Sequence, residues 1–259
     1  MIRVALGGAT GKMGRMVCDM IQNEKDMKLV GAMIDPREES FGKEIYPGVI
    51  AKGQDDLKSV LENADVYVDI TAPGPASNII HKIPSMGVNI VLGTTGIPED
   101  ALKKMRDEIS KNGTSAVHSA NFAVGVNIFW KMCESLATAL DGYDAEIIEV
   151  HHNQKKDSPS GTALEAAKRI MNATGINDLK YGREGIVGER GREIGIHSVR
   201  CGDVVGDHTV IFAANGEVIE FKHRAGSRES FAKGFIKAIR WVHDKKDGTV
   251  HNMSEVLGL

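Results

Sequence analysis

Apolar positions along the first 120 residues follow two alternating rhythms. Short, largely apolar runs at residues 2–7, 28–34, 66–70 and 88–92 have the character of strands buried on both faces of a parallel sheet. Between them the spacing turns helical. Met13, Met16, Val17, Met20 and Ile21 mark a helix over residues 12–23, and residues 76–86 and 99–111 read as two more. A further short strand is predicted at 115–118. This succession predicts an α/β fold built on a Rossmann-like doubly wound parallel sheet.

Past residue 122 the pattern changes. Residues 124–140 predict one long helix with Phe129, Met132, Leu136 and Leu140 on one face. A strand at 144–150 and a helix at 162–174 follow. Three strands are then predicted at 195–200, 204–213 and 217–223, with Asn215-Gly216 as a hairpin turn. Strands joined by turns with few crossovers predict a smaller α+β domain with a mixed open sheet. Residues 227–243 return to helix, expected to pack back on the first domain. Residues 182–192, with glycines at 182, 185, 188 and 191, predict an exposed loop.

Composition narrows the function classes. The chain has 259 residues, 42% hydrophobic and 26% charged, with a net charge of −3. These values suit a globular protein and give no sign of nucleic-acid binding. The apolar runs are too short to cross a membrane. The chain enters a strand at once with no signal peptide, and its cysteine usage leads to a reducing cytoplasm as the expected location. Cys18, Cys133 and Cys201 lie far apart, which argues against a disulfide framework and a zinc-cysteine site.

The turn after the first strand reads Gly7-Gly8-Ala9-Thr10-Gly11-Lys12-Met13-Gly14. Small residues at G-x-x-G-x-x-G spacing, between a strand and a helix, let backbone approach a pyrophosphate that the helix N-terminus stabilises. Asp35 ends the second strand, placed to accept hydrogen bonds from the adenine ribose, which favours NAD. Arg37 and Lys12 could each neutralise a 2′-phosphate, so NADP stays open. Three more loops follow strands: Thr71-Ala72-Pro73, Gly93-Thr94-Thr95-Gly96 and Ser119-Ala120-Asn121-Phe122. Singly each reads as a turn; together, around one sheet edge, they outline a nicotinamide pocket.

Residues 149–162 carry the densest chemistry: Glu149-Val-His151-His152-Asn-Gln-Lys155-Lys-Asp157-Ser-Pro159-Ser160-Gly161-Thr162. A histidine titrates near neutral pH and suits a general acid. Lys155 offers a cation, and the Ser160–Thr162 helix start offers backbone N–H groups to a carboxylate. No further ligand stands at metal-site spacing, so no metal is expected. The set suits a small dianionic substrate that is protonated during reaction.

With Gly93-Thr94-Thr95-Gly96 and Ser119-Ala120-Asn121-Phe122-x-x-Gly125-Val126-Asn127, this motif resembles the dihydrodipicolinate reductase (4-hydroxy-tetrahydrodipicolinate reductase) family nearly end to end. The resemblance implies a dinucleotide-binding domain over residues 1–122, completed by a C-terminal helical segment, 228–259. It implies a substrate-binding and oligomerisation domain over 123–227, and a homotetramer. The implied reaction is NAD(P)H-dependent reduction of 4-hydroxy-tetrahydrodipicolinate to tetrahydrodipicolinate, with loss of water, in diaminopimelate and lysine biosynthesis. Hydride reaches C4 of the ring, and charge developing toward the ring nitrogen and C3 must be quenched by an acid. His151 is implied as acid–base residue and Lys155 as proton donor or cationic partner. His152, Gly161, Thr162 and Thr95 are implied to bind substrate. Gly8, Ala9, Thr10, Gly11, Lys12, Met13, Asp35, Gly93, Thr94, Thr95, Ser119, Ala120, Asn121 and Phe122 are implied to hold the cofactor, NADH or NADPH. Some relatives carry Glu-Arg at the second strand end; Asp35-Pro36-Arg37 moves the arginine one position on, which leaves the preference between the two cofactors open. A cofactor sensor without chemistry would be expected to have lost His151, Lys155 or the Ser160–Thr162 start, and all are present. The His-His-x-x-Lys run and the Ser-Gly-Thr start also disfavour another dehydrogenase of similar fold.

Overall fold

The computed structural model describes residues 1–259, which divide into two units. Unit 1 comprises Met1–Val124 and Phe231–Leu259, and unit 2 comprises Gly125–Ser230.

In unit 1, β1 (Ile2–Gly7) leads through a glycine turn into α1 (Lys12–Asn23) and β2 (Met27–Met33). β3 (Glu44–Tyr46), β4 (Val49–Lys52), α2 (Leu57–Leu61), β5 (Val66–Asp69), α3 (Pro73–Ile79), β6 (Asn89–Leu92), α4 (Glu99–Asn112) and β7 (Ala116–His118) follow. The eight-stranded sheet runs β13-β7-β6-β5-β1-β2-β4-β3, where β13 is Val250–His251 near the C-terminus. Every neighbouring pair is parallel except the β3–β4 edge. Alternate residues feed two cores. Val4 and Leu6 of β1 and Val66 and Val68 of β5 pack in one; Ala5 and Tyr67, from the same strands, pack in the other. Burial on both faces explains why these strands are apolar throughout. Each Leu or Ile removed from water contributes about 2 kcal/mol.

Unit 2 begins with α5 (Val124–Ala139), whose first residue ends unit 1, and continues with β8 (Asp144–His151), α6 (Gly161–Thr174), β9 (Leu179–Tyr181), β10 (Ile194–Arg200), β11 (Asp207–Ala214) and β12 (Glu217–Arg224). Its sheet runs β12-β11-β8-β10-β9. β8 pairs antiparallel with β11 and parallel with β10, so the sheet is mixed. Gly216, at φ 104°, makes the β11–β12 turn. The chain then returns to unit 1 through α7 (Glu229–Val242), β13 and α8 (Met253–Leu257). Phe235 of α7 stacks on Phe122, ring centroids 4.0 Å apart. No helix is long and apolar enough to cross a membrane.

Several elements depart from the sequence expectations. The helix expected at 76–86 starts at Pro73 and ends at Ile79, followed by a separate 3-10 turn at Pro84–Met86. Proline at the first helical position is pre-set for helix, whereas Pro84 cannot donate to the carbonyl four residues earlier. α5 buries Val126, Phe129, Trp130, Cys133 and Ala137; Met132, expected on one face with Phe129, is 42% exposed. Both stripes fit a helical repeat, and packing selected the one carrying the tryptophan. The strand expected from 204 begins at Asp207, because its partner β8 ends at His151 and Val150 pairs with Asp207. β3, β4, β9 and β13 had no expectation; each is four residues or fewer, too short for periodicity to register. The 182–192 loop is exposed, as expected. Two of its arginines nevertheless fold back: Arg183 and Arg190 both pair with Glu146.

Candidate active site

In unit 1 the strand order reverses about β1: β2 lies on one side and β5 on the other. Ligands in open parallel sheets bind at this kind of switch point. The glycine turn sits there. Gly8, at φ +82°, approaches so closely that a Cβ would lie 2.3 Å from the Ile70 carbonyl oxygen. A Cβ on Gly14 would lie 1.9 Å from the Gly8 oxygen. Gly11 caps α1 with no side-chain hydrogen bond, and no acidic residue occupies the first turn. Its first N–H groups are thus left for an anion. Gly8, Thr10, Gly11, Asp35, Thr71 and Ala72 line one cleft of about 480 Å³. These features fit a dinucleotide.

The other expected cofactor residues occupy more varied positions. Lys12 is exposed and Met13 half-buried at the start of α1. Ala9 is 1% exposed and belongs to the core, so only its backbone can face a ligand. Phe122 is buried in its stack with Phe235. Gly93 backs onto the same ring, where a Cβ would lie 2.4 Å from Phe235 Cζ. Ser119 and Asn121 bond to each other, and Asn121 Oδ1 accepts from the Ala123 N–H at 2.9 Å. Ala120 and Thr95 are exposed. Arg37 forks onto the Asp35 carboxylate.

A buried network without a sequence expectation ties two of these loops together. Asp69, with no exposed surface, accepts from Tyr67 Oη at 2.9 Å, Thr71 Oγ1 at 2.7 Å and Thr94 Oγ1 at 2.5 Å. The Thr94 hydroxyl accepts in turn from the Thr71 N–H at 2.9 Å. The Thr94 side chain therefore ties its own loop to the end of β5 and the loop that follows it. The signal in the sequence was an acidic residue inside an otherwise apolar strand.

In unit 2, β8 alternates in burial along its whole length, and its buried face ends in Glu149 and His151. Glu149 Oε2 lies 2.5 Å from His151 Nδ1. Arg200 grips the same carboxylate with two bonds of 2.9 and 2.7 Å, and the Ser160 N–H adds a third donor at 3.2 Å. Burial alone would push the Glu149 carboxyl up, but the bonds from Arg200 and His151 outweigh it and hold the group at about 2. Burial pushes the His151 imidazole below its usual value, against the pull of Glu149.

Ser160 caps α6, its hydroxyl accepting from the Ala163 N–H at 3.2 Å and lying 2.9 Å from His208 Nε2. The Gly161 and Thr162 N–H groups start the helix without partners inside it. Lys155 Nζ pairs with Asp157 at 2.9 Å and is 20% exposed. His152 follows His151 directly, with a buried Nδ1 that has no partner. His208, which packs edge-on to His151 with centroids 5.1 Å apart, is held at about 3, first by burial and then by the neighbouring imidazole. The structure thus groups His151, His152, Lys155, Gly161 and Thr162 at one end of β8. It adds Glu149, Arg200 and His208, to which sequence reasoning gave no role. No three His, Cys, Asp or Glu side chains are grouped to hold a metal ion.

Comparison with known proteins gives a consistent result. The family model described as dihydrodipicolinate reductase, N-terminus, matches residues 2–122, and its C-terminus counterpart matches 125–257. A 4-hydroxy-tetrahydrodipicolinate reductase of Methanocaldococcus jannaschii is 47% identical, covering 100% of this chain and 98% of the relative. One from Methanosarcina barkeri is 45% identical, with both chains covered fully. A solved structure, dipicolinate-bound dihydrodipicolinate reductase from Paenisporosarcina sp. TG-14, superposes with a TM-score of 0.83 at 27% identity, covering 98% of this chain and 99% of that one. C. glutamicum DAP dehydrogenase, at 16% identity and a TM-score of 0.58, shares the fold alone. The chain belongs to the dihydrodipicolinate reductase (4-hydroxy-tetrahydrodipicolinate reductase) family.

Proposed function

We propose that this protein is a 4-hydroxy-tetrahydrodipicolinate reductase of diaminopimelate and lysine biosynthesis, using a nicotinamide nucleotide to form tetrahydrodipicolinate. One hydride and one proton are added to the substrate and one water leaves. The observation that carries the reading is the end of β8, where a buried, carboxylate-held His151 and a cationic Lys155 share a motif with an uncapped pair of N–H groups at the start of α6.

The reduced nicotinamide supplies the hydride when bound. Gly8 to Met13 hold its pyrophosphate against the α1 N-terminus, and Asp35 reads the adenine ribose. The loops at 93–95 and 119–122 border the nicotinamide. In unit 2, the Gly161 and Thr162 N–H groups, with His152 and Thr162, bind a substrate carboxylate. His151 gives a proton to the reduced ring, and Lys155 holds positive charge beside it. Thr95 adds a substrate contact. Arg37 beside Asp35, with Lys12 at the start of α1, supports use of both NADH and NADPH.

The homotetramer belongs to this reading too. One face of the unit 2 sheet carries Val199 and Val218 at 41% and 63% exposure, beside half-buried Ile148, Val150 and Ile211. Light scattering on the purified protein tests it, a tetramer mass being the expected result. A cytoplasmic location is part of the same proposal.

The experiment that tests the function is a coupled assay. Aspartate semialdehyde, pyruvate and a purified synthase generate the unstable substrate in place, and oxidation of NADH and NADPH is followed in parallel. Synthase-dependent oxidation is expected, and His151→Gln should lower turnover by about 10²–10⁴-fold with cofactor affinity unchanged. No oxidation by protein that binds a nicotinamide nucleotide would overturn the reading.

A further inference from the structure

Glu149 has no exposed surface and touches no part of the helix start where a substrate carboxylate would bind except the Ser160 N–H. An ionised carboxylate offers acceptors only. The hydrogen in its 2.5 Å bond with His151 must then sit on Nδ1, which leaves Nε2 as the atom that can exchange a proton with a ligand. Nε2 lies against Gly206, where a Cβ would stand 3.0 Å away. The missing side chain keeps that nitrogen uncovered.

We infer that Glu149 is a positioning residue for the reduction: clamped by Arg200, it holds His151 in the Nδ1–H tautomer and aims Nε2 as the proton-transferring atom. The inference rests on the reading of His151 as the acid–base residue.

The groups around His151 make Glu149 the charge that favours its protonated form. Lys155, in the turn after β8, and Arg200, from β10, both oppose protonation, while Glu149 favours it. His208, from β11, is neutral at physiological pH and is bonded to Ser160 at the start of α6. Asp157 is engaged by Lys155, and Asp207 by Lys222 and Arg224. The two bonds from Arg200 also fix the carboxylate in rotation, so the imidazole cannot turn without breaking its own bond to Glu149 Oε2.

The test compares wild type with Glu149→Gln and Glu149→Asp, using nitrogen NMR of ring-labelled histidine alongside steady-state kinetics over pH. In wild type, His151 should show the Nδ1–H tautomer. In Glu149→Gln it should populate both tautomers and titrate at lower pH. Turnover should then fall about 10²–10⁴-fold with KM little changed, and the fall in activity with rising pH should begin earlier. Glu149→Asp, which keeps the charge, should move the titration back toward wild type. Should Glu149→Gln fail to fold, Arg200→Lys keeps the charge and loses the fork, and a mixed tautomer there is the expected result. An unchanged tautomer and titration in a folded variant overturns the inference, as does activity that falls only with the folded fraction. A wild type with the expected NMR signature and no turnover would count against the reductase reading and leave the positioning relation standing.

Discussion

Arg37 lays its guanidinium across the carboxylate of Asp35, with Nε 3.0 and 3.1 Å from the two oxygens and Nη2 2.5 Å from one of them. The pair follows the end of β2, and Asp35 lines the cleft that Gly8 and Gly11 also line. The Arg37 bond, with a second from its backbone N–H, holds the exposed Asp35 carboxyl at about 2. A ribose with free hydroxyls meets the carboxylate as acceptor. A 2′-phosphate would require the arginine to turn toward it.

Cofactor choice therefore depends on both partners. Asp35→Ala should weaken NADH more than NADPH, because it removes the ribose acceptor and frees Arg37. Arg37→Ala should weaken NADPH more than NADH. Fluorescence titration of each variant with both cofactors checks this, and equal losses would mean that neither residue reads the ribose.

Asp69→Asn should cost stability and cofactor affinity together. The amide can no longer accept from the Tyr67, Thr71 and Thr94 hydroxyls without placing a donor against one of them. Leaving a buried polar group unsatisfied costs about 1–3 kcal/mol, which urea unfolding can resolve. Because Thr71 and Thr94 start two strand-end loops, nicotinamide nucleotide binding should weaken at temperatures where the variant is still folded.

Lys155→Ala should raise KM and lower kcat together, since the ammonium is proposed both to hold the substrate and to stabilise charge as the ring is reduced. Its partner Asp157 is 62% exposed, so loss of their ion pair should leave the melting temperature nearly unchanged. A fall in melting temperature with kinetics intact would make Lys155 structural.

Acid should destabilise the protein through two groups with lowered values. His208 titrates near 6.5 when unfolded and about 3 when folded; Glu149 moves from 4.5 to about 2. In both cases the unfolded chain binds more protons, so the stability present above the unfolded value is lost as pH falls toward the folded one. The window runs from about pH 6.5 to 3 for His208 and from 4.5 to 2 for Glu149. One such group changes stability by at most ~1.4 kcal/mol per pH unit. Melting curves between pH 7 and 5 should slope downward with acid, and His208→Gln should reduce that slope.

The parts of the site legible in the sequence are those that lie close together along the chain. The glycine turn and the 149–162 motif place their residues by local geometry alone: strand, turn, helix start. Glu149 stood in view at two residues from His151, and the period-two alternation of β8 put both on one face. Its role was hidden because nothing local reveals what a buried carboxylate is bonded to. Met132 shows the same limit in α5, where two apolar stripes satisfied the helical repeat and packing chose between them.

The sequence by itself determined the alternation of strands and helices, the fingerprint after the first strand and the identity of the family. The elements and the fingerprint were legible because hydrophobic period and turn chemistry act over a few residues, and the family was legible because the motifs at 93–96, 119–127 and 149–162 resemble those of that family. Tertiary structure alone decided the partners that give the site its electrostatics. Arg200 reaches Glu149 across 51 residues because β10 pairs parallel with β8 in a register that sets Arg200 beside His151. His208 reaches Ser160 across 48 residues because β11 pairs antiparallel with β8 and sets His208 beside Glu149. Register between strands distant in sequence is chosen by the packing of the whole sheet, since a slip of one residue would turn each side chain to the other face.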